Sequence, residues 1–418
     1  MDRFTIEGGV ALSGSVRVSG SKNSVLALMA SSLLTEDRMV FANAPRLRDV
    51  ETMIEILEGL GVRAGWESGD EVCVESGEPT RIDAPYDLVR TMRASFMVLG
   101  PLLARCGHAR VSLPGGCAIG ARPVDQHLKG LAALGAKIEL SNGYVEARAP
   151  RLRGASFAFD LSTVNGTQNV LMAACLADGT SVLENAAIEP EVGELVAVLQ
   201  AMGAQIEGAG TRTLTVRGVS RLSGVRHFVS GDRIEAGTLL VAAGITGGEV
   251  AVSGVEPSDL TAQLAELRGA GFQIAVEEDR ISIAPGAELR PLNLETAIHP
   301  GLPTDMQAQM MALLTQAEGR SQISEKIFEN RFMHVPELLR MNADIHIDGT
   351  TAIIEGPRRL AGAPVMATDL RASACLVLAG LAASGETRVR RVYHIDRGYE
   401  RIEQKLQSLG ARIRREQE

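Results

Sequence analysis

The stretch Pro114-Gly115-Gly116-Cys117-Ala118-Ile119-Gly120-Ala121-Arg122-Pro123-Val124-Asp125 places one thiol among three glycines and follows it with an arginine. Glycine lets a backbone bend freely, and a nearby cation loosens a thiol proton, so such a loop can carry a nucleophile or an acid to an anion. A turn that contains a small apolar cysteine accounts for the same residues equally well. A second set of polar groups recurs along the chain, at Ser21-Lys22-Asn23, Met92-Arg93-Ala94-Ser95, Val164-Asn165-Gly166-Thr167, Asp232-Arg233, Thr304-Asp305 and Asp369-Leu370-Arg371. Each precedes an apolar stretch of helical character. A helix start attracts anions through its free N–H groups and its dipole. If these ends converge on a cleft, Lys22, Arg93, Arg371 and Arg122 make an anion trap. Taken singly, Asp232, Asp305 and Asp369 read as ordinary N-caps. Capping does not explain Lys22, Arg93 or Arg371, because a cation there opposes the dipole. Arg331 in FENRFMHVPEL and Arg397 in YHIDRGYERIE add two basic sites at strand-to-helix junctions, and the Cys117 loop occupies the equivalent junction of another copy.

The elements that must position these groups come from an internal repeat. LEGLGVRA, LAALGAKIEL, LQAMGAQIEG, RGAGFQIAV, LRMNADIHI and LQSLGARIRR share a pivot at Gly61, Gly135, Gly203, Gly271, Asn342 and Gly410, spaced by 74, 68, 68, 71 and 68 residues. A left-handed residue just past a helix explains both the glycines and the one asparagine, which tolerates that conformation. The anchors 22, 93, 165, 233, 305 and 371 follow the same repeat, 71, 72, 68, 72 and 66 residues apart. Each copy reads helix, strand, helix, strand, strand, with an almost wholly apolar first helix that belongs inside and an amphipathic second helix on the surface. Six copies of about 70 residues group as three and three, so the fold class is α/β in two domains, with a boundary near residues 218–231.

Composition narrows the function. The 418 residues exceed what one core serves, and 45% hydrophobic with 22% charged residues is ordinary for a soluble globular protein. A net charge of -9 and 3% aromatics argue against nucleic acid, which needs a positive face and stacking platforms. Five cysteines, at 73, 106, 117, 175 and 375, form no CxxC pair and suggest a reduced cytosolic compartment. The start, MDRFTIEG, does not read as a signal peptide, and no apolar run of about 18 residues suggests a membrane span. His127, His334 and His394 lie near the junctions, but no two histidines have metal-ligand spacing, so no metal is expected. Walker, GxSxG and dinucleotide fingerprints are absent. Nothing in the sequence sets an oligomeric state.

The segments GSKN, APYDLVRTMRASF, LPGGCAIGARPVD, PTDMQAQ, FENRFMHVPEL, MATDLRASACLVLAG and YHIDRGYERIE closely resemble the UDP-N-acetylglucosamine 1-carboxyvinyltransferase family, in the EPSP synthase superfamily. The similarity runs from the first strand to about residue 415. It implies an inside-out α/β barrel in each domain, with 22–230 as one domain, 1–21 plus 231–418 as the other, and the active site in the cleft. It implies transfer of enolpyruvate from phosphoenolpyruvate to the 3'-hydroxyl of UDP-N-acetylglucosamine with release of phosphate, the first committed step of peptidoglycan synthesis. No cofactor is implied. Cys117 would be the thiol that forms an adduct with phosphoenolpyruvate, acts as acid or nucleophile, and reacts with fosfomycin. Lys22, Asn23, Arg122, Arg331, Arg371 and Arg397 would bind phosphoenolpyruvate, and Lys22 and Arg397 would also serve catalysis. Asn23, Arg93, Arg122, Pro123, Val124, Asp125, Gln126, Asp305 and Ile327 would hold the nucleotide sugar, with Asp305 as base for the 3'-hydroxyl. Two departures stand out from the family pattern: Arg48-Asp49 in place of Lys-Asp, and a shorter segment at Thr163–Thr167 where relatives contact the uracil.

Two alternatives compete. The shikimate-pathway synthase shares the sixfold unit but lacks the Pro-Gly-Gly-Cys loop, and a silent nucleotide-sugar-binding paralogue would not need Lys22, Cys117, Asp305 and Arg397.

Overall fold

The computed structural model describes residues 2–114 and 124–417. They form six four-stranded sheets, one for each copy of the repeat. In the third copy, strand Ser156–Ala158 leads into an inner helix, Val164–Ala174, then strand Thr180–Glu184, an outer helix, Pro190–Ala201, and the hairpin of Gln205–Glu207 with Thr213–Arg217. Ser156–Ala158 and Thr180–Glu184 pair in parallel, and the hairpin continues the sheet antiparallel. The expected order of helices and strands is present in the first five copies; in the sixth the last strand is supplied by Asp2–Glu7, and each sheet carries in addition one edge strand outside that pattern.

All six pivots take positive φ: 84° at Gly61, 94° at Gly135, 106° at Gly203, 108° at Gly271, 72° at Asn342 and 98° at Gly410. The following N–H reaches back to the last turn of the helix in every copy, as in Val62 to the Leu57 carbonyl at 3.0 Å and Ala411 to the Leu406 carbonyl at 3.0 Å. This bond satisfies a carbonyl that the helix end leaves open and turns the chain directly into the hairpin.

The helices inside are mostly apolar and buried on every side, and every residue of Arg233–Ile245 is buried. The outer helices are one-sided. Arg48–Gly59 buries Val50, Met53, Ile54 and Leu57 and leaves Glu55 and Glu58 in solvent. Helices therefore form the core and sheets cover them, the arrangement called inside-out; the sheets remain six separate ones among the described residues.

By contacts the described residues divide into two compact units, 20–114 with 124–230, and 2–19 with 231–417. Each has its own hydrophobic core. In the first, the inner helices Lys22–Ser31 and Val164–Ala174 pack against each other and against the turn Arg93–Val98 that opens the third inner helix. It closes on itself where strand Arg226–Phe228 pairs in parallel with Arg38–Ala42. In the second, Arg233–Ile245, Gln307–Leu314 and Leu370–Ala382 all pack on one another. Its sheets are completed from the start of the chain: Ser13–Arg17 pairs with Glu249–Ser253, and Asp2–Glu7 lies between Glu386–Arg390 and Arg412–Gln417. Ser19 fixes that crossing, with its N–H on Glu235 at 3.2 Å and its hydroxyl on Glu400 at 2.6 Å, while Lys405 pairs with the buried Glu235.

Candidate active site

The six anchors all fall in the first two positions of the inner helices or of the short turns that open them. Local chemistry then separates them. Asp232 and Asp369 are caps: Asp232 accepts from the N–H groups of Ile234 and Glu235 at 2.8 and 3.0 Å, and Asp369 from Arg371 and Ala372 at 2.9 and 3.1 Å. Asp305 departs from that reading. Its Oδ1 accepts from Arg331 Nη2 at 2.7 Å, and its Oδ2 accepts from Nε and Nη2 of Arg371 at 3.1 and 2.9 Å.

Both arginines are nearly inaccessible, 5% and 4% exposed at the side chain against 28% for Asp305. The carboxylate therefore forms the accessible end of a buried ionic cluster. Burial alone would lower the Arg371 pKa, but Asp305, Tyr399 and Asp232 outweigh it and hold the guanidinium above its ordinary value. The guanidinium carbon lies over the Tyr399 ring, 5.3 Å from its centroid, within the range of a cation–π contact. The cluster explains why a cation stands at a helix start: the ion pair outweighs the unfavourable dipole.

In the other unit, Lys22 opens its inner helix and pairs with Asp49 at 2.8 Å, the side chains 12% and 3% exposed. Asp49 lies in the first turn of the outer helix Arg48–Gly59, where it also favours the dipole; Arg48 points to solvent. Asn23 is exposed beside Lys22, and Arg93 is half-buried at the start of its turn. Burial, and then the charge of Arg93, pushes His127 down to about 3. This neutral histidine is braced by Asn169 at 2.9 Å and by an edge contact with Phe96.

Cys117, Arg122 and Pro123 lie outside the described residues. Val124 is buried and precedes the helix Asp125–Ala133. The side chain of Gln126 is also buried, and its amide is engaged by the protein: Nε2 donates to Asp125 and Asp160, both at 2.9 Å, and Oε1 accepts from the Asp160 N–H at 2.9 Å. Thr163 caps the helix Val164–Ala174 through the N–H of Gly166 at 3.4 Å. Ile327 sits on a loop organised by Glu325, which accepts the Ile327 N–H at 2.8 Å and the hydroxyls of Thr296 and Thr304 at 2.8 Å each. Arg397 ends the turn Val392–Arg397, and burial followed by the charge of Arg397 lowers the pKa of His394.

Asp305, Arg331 and Arg371 are thus brought into direct contact. Asp49, Glu325 and Tyr399 support the site residues, and sequence reasoning gave none of them a role. Asp49 had a usable signal, an acidic residue in the first turn of an amphipathic helix. Glu325 and Tyr399 had none, since Thr296 and Thr304, which hold the first, and Thr238 and Gln309, which hold the second, are distant in the chain. Among the described residues, no group of three His, Cys, Asp or Glu side chains is placed to hold a metal ion.

A model of the family described as EPSP synthase (3-phosphoshikimate 1-carboxyvinyltransferase) matches residues 6–406, which sets the class to which this repeated fold and its ionic cluster belong. Relatives named UDP-N-acetylglucosamine 1-carboxyvinyltransferase are 56% identical in Magnetococcus marinus over 99% of both chains, 56% in Myxococcus xanthus over 100% of both, and 54% in Dichelobacter nodosus over 100% of both. The chain belongs to the UDP-N-acetylglucosamine 1-carboxyvinyltransferase family, within the EPSP synthase superfamily. Among solved structures, the enolpyruvyl transferase NikO from Streptomyces tendae aligns with a TM-score of 0.89 at 28% identity, covering 99% of this chain and 98% of that one. An EPSP synthase from Acinetobacter baumannii shares the fold, with a TM-score of 0.79 at 19% identity over 100% of both chains.

Proposed function

We propose that this chain transfers enolpyruvate from phosphoenolpyruvate to the 3'-hydroxyl of UDP-N-acetylglucosamine, releasing phosphate by addition and elimination, in the first committed step of peptidoglycan synthesis. The observation that carries this reading is the carboxylate of Asp305 gripped on both oxygens by Arg331 and Arg371, in a chain 54–56% identical over its full length to relatives with that name. Adding an alcohol to an enol phosphate needs a base at the attacking oxygen and an acid at the methylene carbon; loss of a proton from the new methyl group and of phosphate restores the double bond. Asp305 takes the hydroxyl proton. Cys117 delivers a proton to the methylene carbon or forms the phosphoenolpyruvate adduct, and is the thiol alkylated by fosfomycin.

Lys22, Arg122 and Arg397 hold the phosphate, and Arg331 and Arg371 the carboxylate side, because dianions and carboxylates are matched by ammonium groups and planar guanidinium forks. Asn23, Arg93, Pro123, Val124, Asp125 and Ile327 hold the nucleotide sugar. The Gln126 amide already bonds Asp125 and Asp160, which supports a role in shaping that site. The two domains expected from the sequence, 22–230 and 1–21 with 231–418, are part of this reading, as is a cytoplasmic enzyme; no helix among the described residues is long and apolar enough to cross a membrane.

Phosphate release from phosphoenolpyruvate, measured with UDP-N-acetylglucosamine and separately with shikimate 3-phosphate, tests the reading. Release only with the nucleotide sugar is expected. Release only with shikimate 3-phosphate, or with neither, would overturn it.

A further inference from the structure

Behind Asp305 lies a polar network that the reaction scheme does not use. Tyr399 is 1% exposed, and Thr238 and Gln309 are 0% exposed, in an otherwise apolar core. Buried polar groups of this kind are costly unless they are paired, so their pairing specifies a geometry. The Thr238 hydroxyl donates to the Ile234 carbonyl at 2.8 Å. Its one proton is spent there, so in the 2.9 Å contact between the two hydroxyls Tyr399 is the donor. The Gln309 amide nitrogen donates to the main-chain carbonyl of Asp305 at 2.9 Å, and also faces the oxygens of Thr238 and Tyr399 at 3.1 and 3.2 Å. Burial raises the Tyr399 pKa despite the pull of Arg371 and Thr238, which keeps the phenol neutral and able to donate.

Asp305 is therefore held at two ends. Its carboxylate is bound by Arg331 and Arg371, and its carbonyl by Gln309. Tyr399 touches both grips: its ring lies under the Arg371 guanidinium, 5.3 Å from the centroid, and its hydroxyl joins Thr238 and Gln309. We propose that Tyr399 is a positioning residue for the enolpyruvyl transfer, setting the place of Arg371 by its ring and the place of Asp305 by its hydroxyl. The inference rests on the roles given above to Asp305 and Arg371. A misplacement well under an ångström at a reacting group is enough to slow a reaction measurably, so a residue one contact away from both can control it.

Tyr399→Phe keeps the ring and removes the hydroxyl; Tyr399→Leu removes both. With folded fractions matched by thermal melting, kcat/KM for phosphoenolpyruvate is expected to fall about threefold in the first and about thirtyfold in the second, while KM for UDP-N-acetylglucosamine stays within about twofold. A tyrosine that only filled the core would lower the active fraction without separating the two substrates. In an Arg371→Lys background, Tyr399→Leu is expected to cost only about threefold, the share that runs through the hydroxyl and Gln309, because the larger share runs through Arg371. A KM for UDP-N-acetylglucosamine that rises as far as the KM for phosphoenolpyruvate, no loss in either variant, or a full thirtyfold loss in the Arg371→Lys background would each overturn the proposal. Tyr399→Phe carries the test if the leucine variant does not fold. The wild-type assay separates this inference from its foundation: no release by the wild type sinks the proposed function and this inference with it, whereas normal release with unaffected variants sinks the inference alone.

Discussion

Asn169 and Gln309 occupy the same step of the repeat, four residues after the anchors Asn165 and Asp305, and both are completely buried amides. Asn169 is fully engaged. It donates to the Phe96 carbonyl at 3.1 Å, accepts the Gly100 N–H at 2.7 Å and meets Nδ1 of His127 at 2.9 Å. Because the amide nitrogen can only donate, Nδ1 accepts and the proton of the neutral imidazole is on Nε2. Gln309, one methylene longer, instead reaches the main chain of Asp305 and the hydroxyls of Thr238 and Tyr399, and its Oε1 has no hydrogen-bond partner among the described residues. One repeat position thus braces three pieces of scaffold in one unit and underlies a gripped carboxylate in the other. Duplication supplied the place, and the side chain decided its use.

This contrast can be broken, and the severest test is Asp305→Asn. It keeps the shape but removes the base, and kcat is expected to fall roughly 100- to 10,000-fold. Near-normal turnover would reduce the Gln309 side of the comparison to scaffold as well. Arg371→Ala removes two charged hydrogen bonds at roughly 1.5–3 kcal/mol, so kcat/KM for phosphoenolpyruvate is expected to drop about ten- to a hundredfold. Unchanged kinetics would take Arg371 out of the site. Asn169→Ala is the converse case: denaturant unfolding should show about 1–3 kcal/mol of lost stability from the stranded Gly100 and Phe96 groups, with the kinetic constants of the folded enzyme unaltered. A selective change in kinetics would show that the brace reaches the chemistry.

The smallest expected effect concerns two buried histidines, one in each unit. Burial depresses His127 to about 3 and His334 to about 4. Each folded-state pKa lies below its unfolded value of about 6.5, so in acid the unfolded chain takes up a proton that the folded chain refuses. Stability present above about pH 6.5 is then lost as the pH falls toward each folded-state value, by up to about 1.4 kcal/mol per pH unit for each histidine. Replacing His127 by Phe should flatten the acid limb of stability against pH between about 6 and 4 relative to wild type; an unchanged slope would mean that His127 protonates within the fold.

Legibility followed the distance over which a signal acts. The pivots were plain because one residue and one helix end suffice, and all six took the left-handed conformation, Asn342 among them. The inner helices were plain because they are apolar over most of their surface. The edge strands were not, since Asp83–Ala84, Ser156–Ala158 and Arg226–Phe228 are too short to show a period of two. Within the site, Lys22, Arg93 and Arg371 stood out as cations at helix starts, where a dipole argument applies, whereas Asp305 read as an ordinary cap and gained its role only from the family resemblance. Their partners required tertiary structure: nothing local links Lys22 to Asp49, Asp305 to Arg331, or Tyr399 to Thr238.

Strand Asp2–Glu7 ends up beside Arg412–Gln417, and Arg3 meets Glu416 across 413 residues of sequence. A ribosome makes these partners in the opposite order from their need. At about 5–20 residues per second, strand Asp2–Glu7 waits roughly 20–80 s before Arg412–Gln417 emerges, whereas the other unit has all its strands once residue 230 is out. The nascent chain is therefore expected to carry a folded body with an unpaired sheet edge trailing from its front. Protease applied to ribosomes stalled well past residue 230 should spare that body and cut within residues 2–17; protection of residues 2–17 at that stage would show that they find another shelter first.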